Sequence, residues 1–294
     1  PLIIQDKRFA GVSLDYSPTD EAIMTGYLGE RILVNGIFSP HASVSKGWYR
    51  LRLLNGSTAR VYDLALSNGM QFHIIGSDGG LLAAPESVTS IMLAPGERAD
   101  ILVDFSSLAI GKEIYLISNK YSKYNSQGRQ AFSIMKFKVD RDGSESFTVP
   151  TALSTITTIH TSSSVNTRRF DIAALIGGMS GGMRRHSING KPFDMERIDE
   201  TVQAGTTEIW EFDNMMGDEI HPMHIHGVQF QVLERIGGRN KLIATEKGWK
   251  DTVLVMPGEK VRLIMTFPDY TGTFVLHCHN LEHENNGMMR NYRV

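Results

Sequence analysis

Two short clusters near the C-terminal end concentrate side chains that bind metals: His221-Pro222-Met223-His224-Ile225-His226 and His277-Cys278-His279-Asn280-Leu281-Glu282-His283, the second followed by Met288. They hold six of the ten histidines and the only cysteine. Two imidazoles, one thiolate and a weak axial thioether make the soft trigonal set that holds cuprous and cupric copper in similar geometry. Cys278, His283 and Met288 supply three of these groups from a strand end and the loop after it, and His221 completes the set from the neighbouring cluster.

Strand geometry divides the remaining imidazoles from that set. Side chains alternate between faces along a strand, so His277 and His279 point one way and Cys278 the other. The same parity separates His221 from His224 and His226. One face therefore builds a mononuclear thiolate site, and the opposite face presents four imidazoles. A metal bonded to Cys278 would be one residue of backbone away from the second site on either side. Structural zinc also accepts Cys and His, but it has no use for Met288 or for four further imidazoles across the strand.

The elements that must position these groups are short strands. Runs rich in Val, Ile, Leu, Phe and Tyr, such as Tyr49 to Leu54, Ile101 to Phe105, Glu208 to Phe212 and Lys260 to Phe267, are separated by Gly, Pro, Asn and Asp. That punctuation predicts sandwich strands, and no segment supports a long helix. The fold class expected is all-β.

A length of 294 residues suits two domains of ordinary size. The Ser- and Thr-rich stretch from Asp140 to Asn166 has little periodicity and reads as a linker, giving domains of residues 1–150 and 151–294. The halves read as a diverged repeat. Phe72-His73-Ile74-Ile75-Gly76 matches Met223-His224-Ile225-His226-Gly227, Ile91 to Glu97 matches Val253 to Glu259, and Tyr115 to Lys120 matches Phe274 to His279. In this alignment Ile75, Ser118, Asn119 and Lys120 stand where the second half has His226, His277, Cys278 and His279. The first half is therefore expected to be a copy without copper ligands.

Composition excludes several function classes. Hydrophobic residues are 41% and charged residues 21%, a globular balance. Thirty basic against 32 acidic residues leave no footprint for nucleic acid and no polybasic membrane patch. No apolar run reaches the length of a spanning helix. The chain opens Pro1-Leu2-Ile3-Ile4 without a charged segment leading into an apolar one, so no export signal is expected within it. With no bridging partner for Cys278, cysteine usage does not assign a redox compartment.

The phrases HPMHIHG and HCHNLEHENNGMM resemble the two copper motifs in the last domain of three-domain multicopper oxidases, the family of laccases and bacterial cuprous oxidases. Ile188-Asn189-Gly190-Lys191-Pro192-Phe193 and Gly248-Trp249-Lys250-Asp251-Thr252-Val253 are similar to bacterial members, and Leu2 to Phe9 resembles the start of the family's middle domain. The resemblance implies two cupredoxin-like Greek-key sandwiches. It assigns His221, Cys278, His283 and Met288 to type 1 copper, His224 to type 2 copper, and His226, His277 and His279 to the type 3 pair. It also implies one-electron oxidation of phenols, aromatic amines or metal ions, transfer through the Cys278–His277/His279 link, and reduction of dioxygen to water, with Glu284 as a candidate proton relay. An extracytoplasmic location, periplasmic or secreted, is expected on the same basis.

The family's trinuclear cluster takes eight histidines, four of them from two His-X-His motifs in an N-terminal domain. Beyond His224–His226 and His277–His279 this sequence has no such pair, since His41, His73, His160 and His186 are isolated. A companion N-terminal domain is therefore an expected partner, alongside a small-molecule or metal-ion reductant and dioxygen. The chain as it stands also fits a mononuclear blue-copper electron carrier without oxygen chemistry. Asp218 and Glu219 read as a solvated turn or as a steering group for a cationic reductant. Met179, Met183, Met215 and Met216 read as filler rather than as a dense Met-rich copper insertion.

Overall fold

A computed structural model describes residues 1–122, 127–143, 146–173, 175–176 and 185–294. Strands dominate, as the period-two runs predict, and the four strands expected above fall on Trp48–Asn55, Arg98–Asp104, Thr207–Asp213 and Glu259–Thr266, with Phe105 and Phe267 each one residue past the observed strand end. The α-helices among the described residues are shorter than two turns. One, α1, spans Asp20–Thr25 and is capped by the Thr19 hydroxyl, and α2 spans Leu281–Asn285.

The chain divides into two compact units, residues 1–17 with 28–155 and residues 18–27 with 156–294. The division at 155/156 falls inside the stretch from Asp140 to Asn166. The excursion of 18–27 into the second unit has no counterpart in the sequence reading.

In the first unit, strands follow the order Ile37–Phe38, Arg31–Val34, Leu2–Ala10, Trp48–Asn55, Arg98–Asp104, Phe72–Ser77 and Gly80–Val88 in one sheet. The other sheet runs Ser90–Leu93, Tyr62–Leu66, Glu113–Ser118, Phe132–Arg141 and His41–Ser45. The second unit repeats the plan. Ser164–Asp171, Thr207–Asp213, Glu259–Thr266 and Gln231–Gly237 form one sheet, and Glu200–Thr201, Met289–Arg293, Thr273–Cys278, His221–Ile225 and Thr252–Val255 form the other. Each sheet carries one parallel pair at the corresponding place, for example Leu2–Ala10 with Trp48–Asn55 and Ser164–Asp171 with Thr207–Asp213.

This order corrects one part of the repeat. The strand that occupies the place of His221–Ile225 is Tyr62–Leu66, whereas Phe72–Ser77 takes the place of Gln231–Gly237. His73 is therefore not at a ligand-equivalent position, and its ring lies against Trp48 instead. The mismatch arises because any alternating apolar run ending in Gly aligns with any other, while hydrogen-bonded neighbours admit a single placement.

The core of the second unit joins both sheets. Trp210, Phe170, Phe212 and Leu263 from one meet Met223, Val253, Cys278 and Tyr292 from the other, all buried. Trp210 packs on Phe170, Phe267 and Tyr292 at ring-centroid distances of 5.0, 5.5 and 5.4 Å. Its indole N–H donates to Glu208, which Arg168 holds through two guanidinium nitrogens. Burying such a ring and satisfying its one donor make a rigid floor beneath the strands that carry the clusters.

Candidate metal centre

His221–Ile225 and Thr273–Cys278 are neighbouring antiparallel strands, with Met223 opposite Cys278 and His224 opposite His277. This register places the two clusters side by side. After Cys278 the chain turns at Asn280, whose side-chain oxygen accepts from the backbone N–H groups of Glu282 and His283 and so starts α2. The one-turn helix, where a loop was expected, swings His283 back over the thiol. Hydrogen bonds from Cys278 N to Met288 O (3.0 Å) and from Met288 N to His283 O (2.9 Å) close the loop.

On one side of the strand, His221, Cys278 and His283 form a buried triangle. Cys278 Sγ lies 3.7 Å from His221 Nδ1 and 3.7 Å from His283 Nδ1, and the two nitrogens are 3.2 Å apart. Met288 is fully buried in the same core cluster as Cys278. Burial, together with the nearby His186, lowers the His221 pKa to about 3, and it pushes that of His283 well below the ordinary range. Both rings are thus neutral with lone pairs available, while burial drives the Cys278 thiol upward. Two neutral imidazoles and a thiol, converging without a positive charge among them, are a donor set that a thiophilic cation would complete by displacing one proton.

On the other side, His224, His226 and His277 converge, with His226 Nε2 3.1 Å from His277 Nε2. The His279 ring stands 5.8 Å from His224 and 5.7 Å from His277. Outer contacts fix the tautomers. His224 Nδ1 donates to the Asp251 carbonyl at 2.8 Å, and His277 Nδ1 faces both the Cys278 carbonyl at 3.0 Å and Glu284 Oε2 at 3.1 Å. Each thereby turns its Nε2 towards the imidazole group, that of His277 lying against His226 Nε2, the arrangement common behind metal-binding histidines. Burial lowers the His224 pKa to about 4 and lowers those of His226 and His279. Burial also acts against His277, but the hydrogen bond and charge of Glu284 outweigh it and raise the pKa. His224, His226, Asp251 and Tyr270 line an open cleft, and the Tyr292 hydroxyl donates to the His226 carbonyl.

These contacts bring together every imidazole and the thiol singled out in the sequence, on the two faces that strand parity requires. Asp218 is exposed, as a solvated turn would be, but Glu219 turns inward. Met215 and Met216 are exposed, and Met179 and Met183 lie outside the described residues. Two participants were not visible in the sequence. His186, isolated there, stacks on His283 with ring centroids 4.0 Å apart. From α1, the Met24 carbonyl accepts from His283 Nε2 at 2.9 Å.

Sequence profiles described as multicopper oxidase match residues 33–136 and 152–294. The chain belongs to the multicopper oxidase family. It is 37% identical to the multicopper oxidase mco of Staphylococcus haemolyticus, covering 100% of this chain and 58% of that protein. With the laccase of Bacillus subtilis it shares 34% identity over 99% of this chain and 61% of the relative. The crystal structure of the McoA multicopper oxidase from the hyperthermophile Aquifex aeolicus superposes with a TM-score of 0.89 at 39% identity, covering 100% of this chain and 65% of that one. This likeness makes both sandwiches cupredoxin-like. The chain thus spans about three fifths of the length of these multicopper oxidase relatives, and copper is the metal of the family.

Among the described residues no helix is long and apolar enough to cross a membrane.

Proposed function

We propose that this chain is the electron-accepting part of a laccase-like multicopper oxidase. His221, Cys278, His283 and Met288 hold type 1 copper, His224 serves type 2 copper, and His226, His277 and His279 serve the type 3 pair. The complete protein oxidises phenols, aromatic amines or metal ions one electron at a time and reduces dioxygen to water. An N-terminal domain supplying further histidines is its expected partner, and an extracytoplasmic location accompanies the reading.

One observation carries this proposal. Cys278 belongs to the buried thiol triangle and its chain neighbour His277 to the imidazole group, so a single peptide unit joins two metal sites. Copper, when bound, supplies the one-electron exchange and the oxygen chemistry. The chain does the rest: buried walls exclude water from Cys278, Asp251 and the Cys278 carbonyl hold the rings of His224 and His277, and Glu284 keeps a carboxylate against His277. Burial raises the Glu284 pKa, but the His277 hydrogen bond and the surrounding imidazoles lower it overall, so it stays ionised and able to accept and return a proton beside the cluster.

The test is the copper-to-chain ratio read with visible absorption. About one copper with an intense thiolate band means that the thiolate site assembles within this chain, which then acts as an electron carrier; additional copper on the imidazole face extends the reading to the oxidase. No copper after reconstitution would refute the site.

A further inference from the structure

The imidazole of His283 presents Nδ1 to the thiol and Nε2 to a second group of side chains that neither metal face includes. Glu219 Oε2 lies 3.2 Å from His283 Nε2 and 3.1 Å from His186 Nε2. His186 is stacked on His283 with 23° between the ring planes, and both rings are 1% exposed. The amide nitrogen of Asn286, on the turn after α2, sits 3.1 Å from His186 Nδ1. An amide N–H must donate there, so His186 Nδ1 accepts and its Nε2 carries the proton that goes to Glu219. The backbone of Glu219 is held as well, because the buried Asn214 amide donates to its main-chain carbonyl at 2.8 Å.

The His283 Nε2–H already donates to Met24 O. Glu219 therefore adds a negative charge at the outer edge of the ring, held there by the His186 Nε2–H. A carboxylate behind a metal-bound imidazole makes that ligand more basic and stabilises the higher charge on the metal. The side chain of Glu219 is only 18% exposed, so water screens this charge weakly.

We propose that Glu219, clamped by His186, is a positioning residue that lowers the reduction potential of copper bound through His283. The inference rests on the type 1 reading above. His186 acts through Glu219: without it the carboxylate can swing to solvent and its field at His283 weakens.

The test is a spectroelectrochemical titration of the copper-loaded full chain, following the thiolate band against a reference couple. Glu219→Gln keeps the shape and removes the charge. It is expected to shift the equilibrium towards the reduced state about tenfold, which is about 59 mV for one electron, with the band retained. Glu219→Asp keeps the charge and should stay closer to the parent. His186→Phe preserves the stacking and should shift the equilibrium in the same direction by less, and in the Glu219→Gln background it should add nothing. An unmoved or lowered potential in Glu219→Gln, or a shift in Glu219→Asp as large as in Glu219→Gln, overturns the proposal while leaving the copper site intact. Full additivity of the two substitutions overturns the clamp. Should Glu219→Gln fail to fold, His186→Phe alone decides, since an unchanged potential there overturns the role of His186. Absence of the band in the parent chain instead overturns the type 1 reading itself.

Discussion

The carbonyl oxygen of Cys278 lies 3.0 Å from Nδ1 of His277, so the residue whose thiol faces one site also hydrogen-bonds the imidazole that faces the other. The two groups are joined twice, through the chain and through this contact. Cys278→Ser is expected to abolish the intense visible band while leaving metal uptake by the imidazole face, read as loss of about one copper per chain. Retention of the band would place the thiolate site elsewhere.

Away from the metal faces, Arg235 is wholly buried between Glu246 and Glu259, donating to Glu259 Oε2 at 2.8 Å, while Arg239 reaches the same carboxylate at 2.7 Å. Arg235→Met would leave two buried carboxylates short of a counter-charge. Breaking a buried pair on one side costs roughly 3–5 kcal/mol, so the urea midpoint of this variant should fall steeply.

The same network makes an acid limb. Burial raises the Glu259 pKa, but the hydrogen bond and charge of Arg239 and the charge of Arg235 outweigh it, and the folded carboxyl is held below its ordinary range. The unfolded chain then binds the proton more readily than the folded one. The stability Glu259 contributes is complete above its unfolded pKa and is lost as pH falls through the lower folded value. Urea midpoints measured from about pH 6 to about pH 3 should decline, and Glu259→Gln, though less stable at neutral pH, should show a shallower decline. Equal slopes would rule out this carboxylate as a contributor.

Gly227 follows His226 in the turn after the strand His221–Ile225, which carries His224. Its φ is +77°, and a Cβ there would stand 2.9 Å from Phe274 Cδ1, a ring stacked on Tyr292. Gly227→Ala should cost about 1–3 kcal/mol and displace His226, so the melting temperature should fall and copper at the imidazole face should be lost before copper at the thiol.

Much of this site was legible because strands impose a period of two. Parity alone separated Cys278 from His277 and His279, and the register of His224 with His277 realises that separation. The contacts of His283 were not legible, because Met24 is 259 residues away in sequence and meets it through a backbone carbonyl, which any residue type would supply. His186 carried no spacing signal, since its partner Glu219 lies 33 residues on and joins it through side chains alone. The repeat was recognisable as a repeat, yet one of its segments aligned with the wrong strand. Apolar alternation records which face is buried, and sheet neighbours record which strand it is.

The excursion of residues 18–27 into the second unit has a practical consequence for anyone dissecting the protein. Cutting at the single apparent seam near Thr155 and Ile156 would not release a self-sufficient C-terminal module, because α1 would depart with the other piece. The excised module would keep every proposed ligand but lose the carbonyl that receives the His283 Nε2 proton, leaving that edge of the ring to water. A faithful minimal copper-binding fragment would have to be spliced from two stretches of sequence, with Pro18–Tyr27 grafted ahead of Ile156.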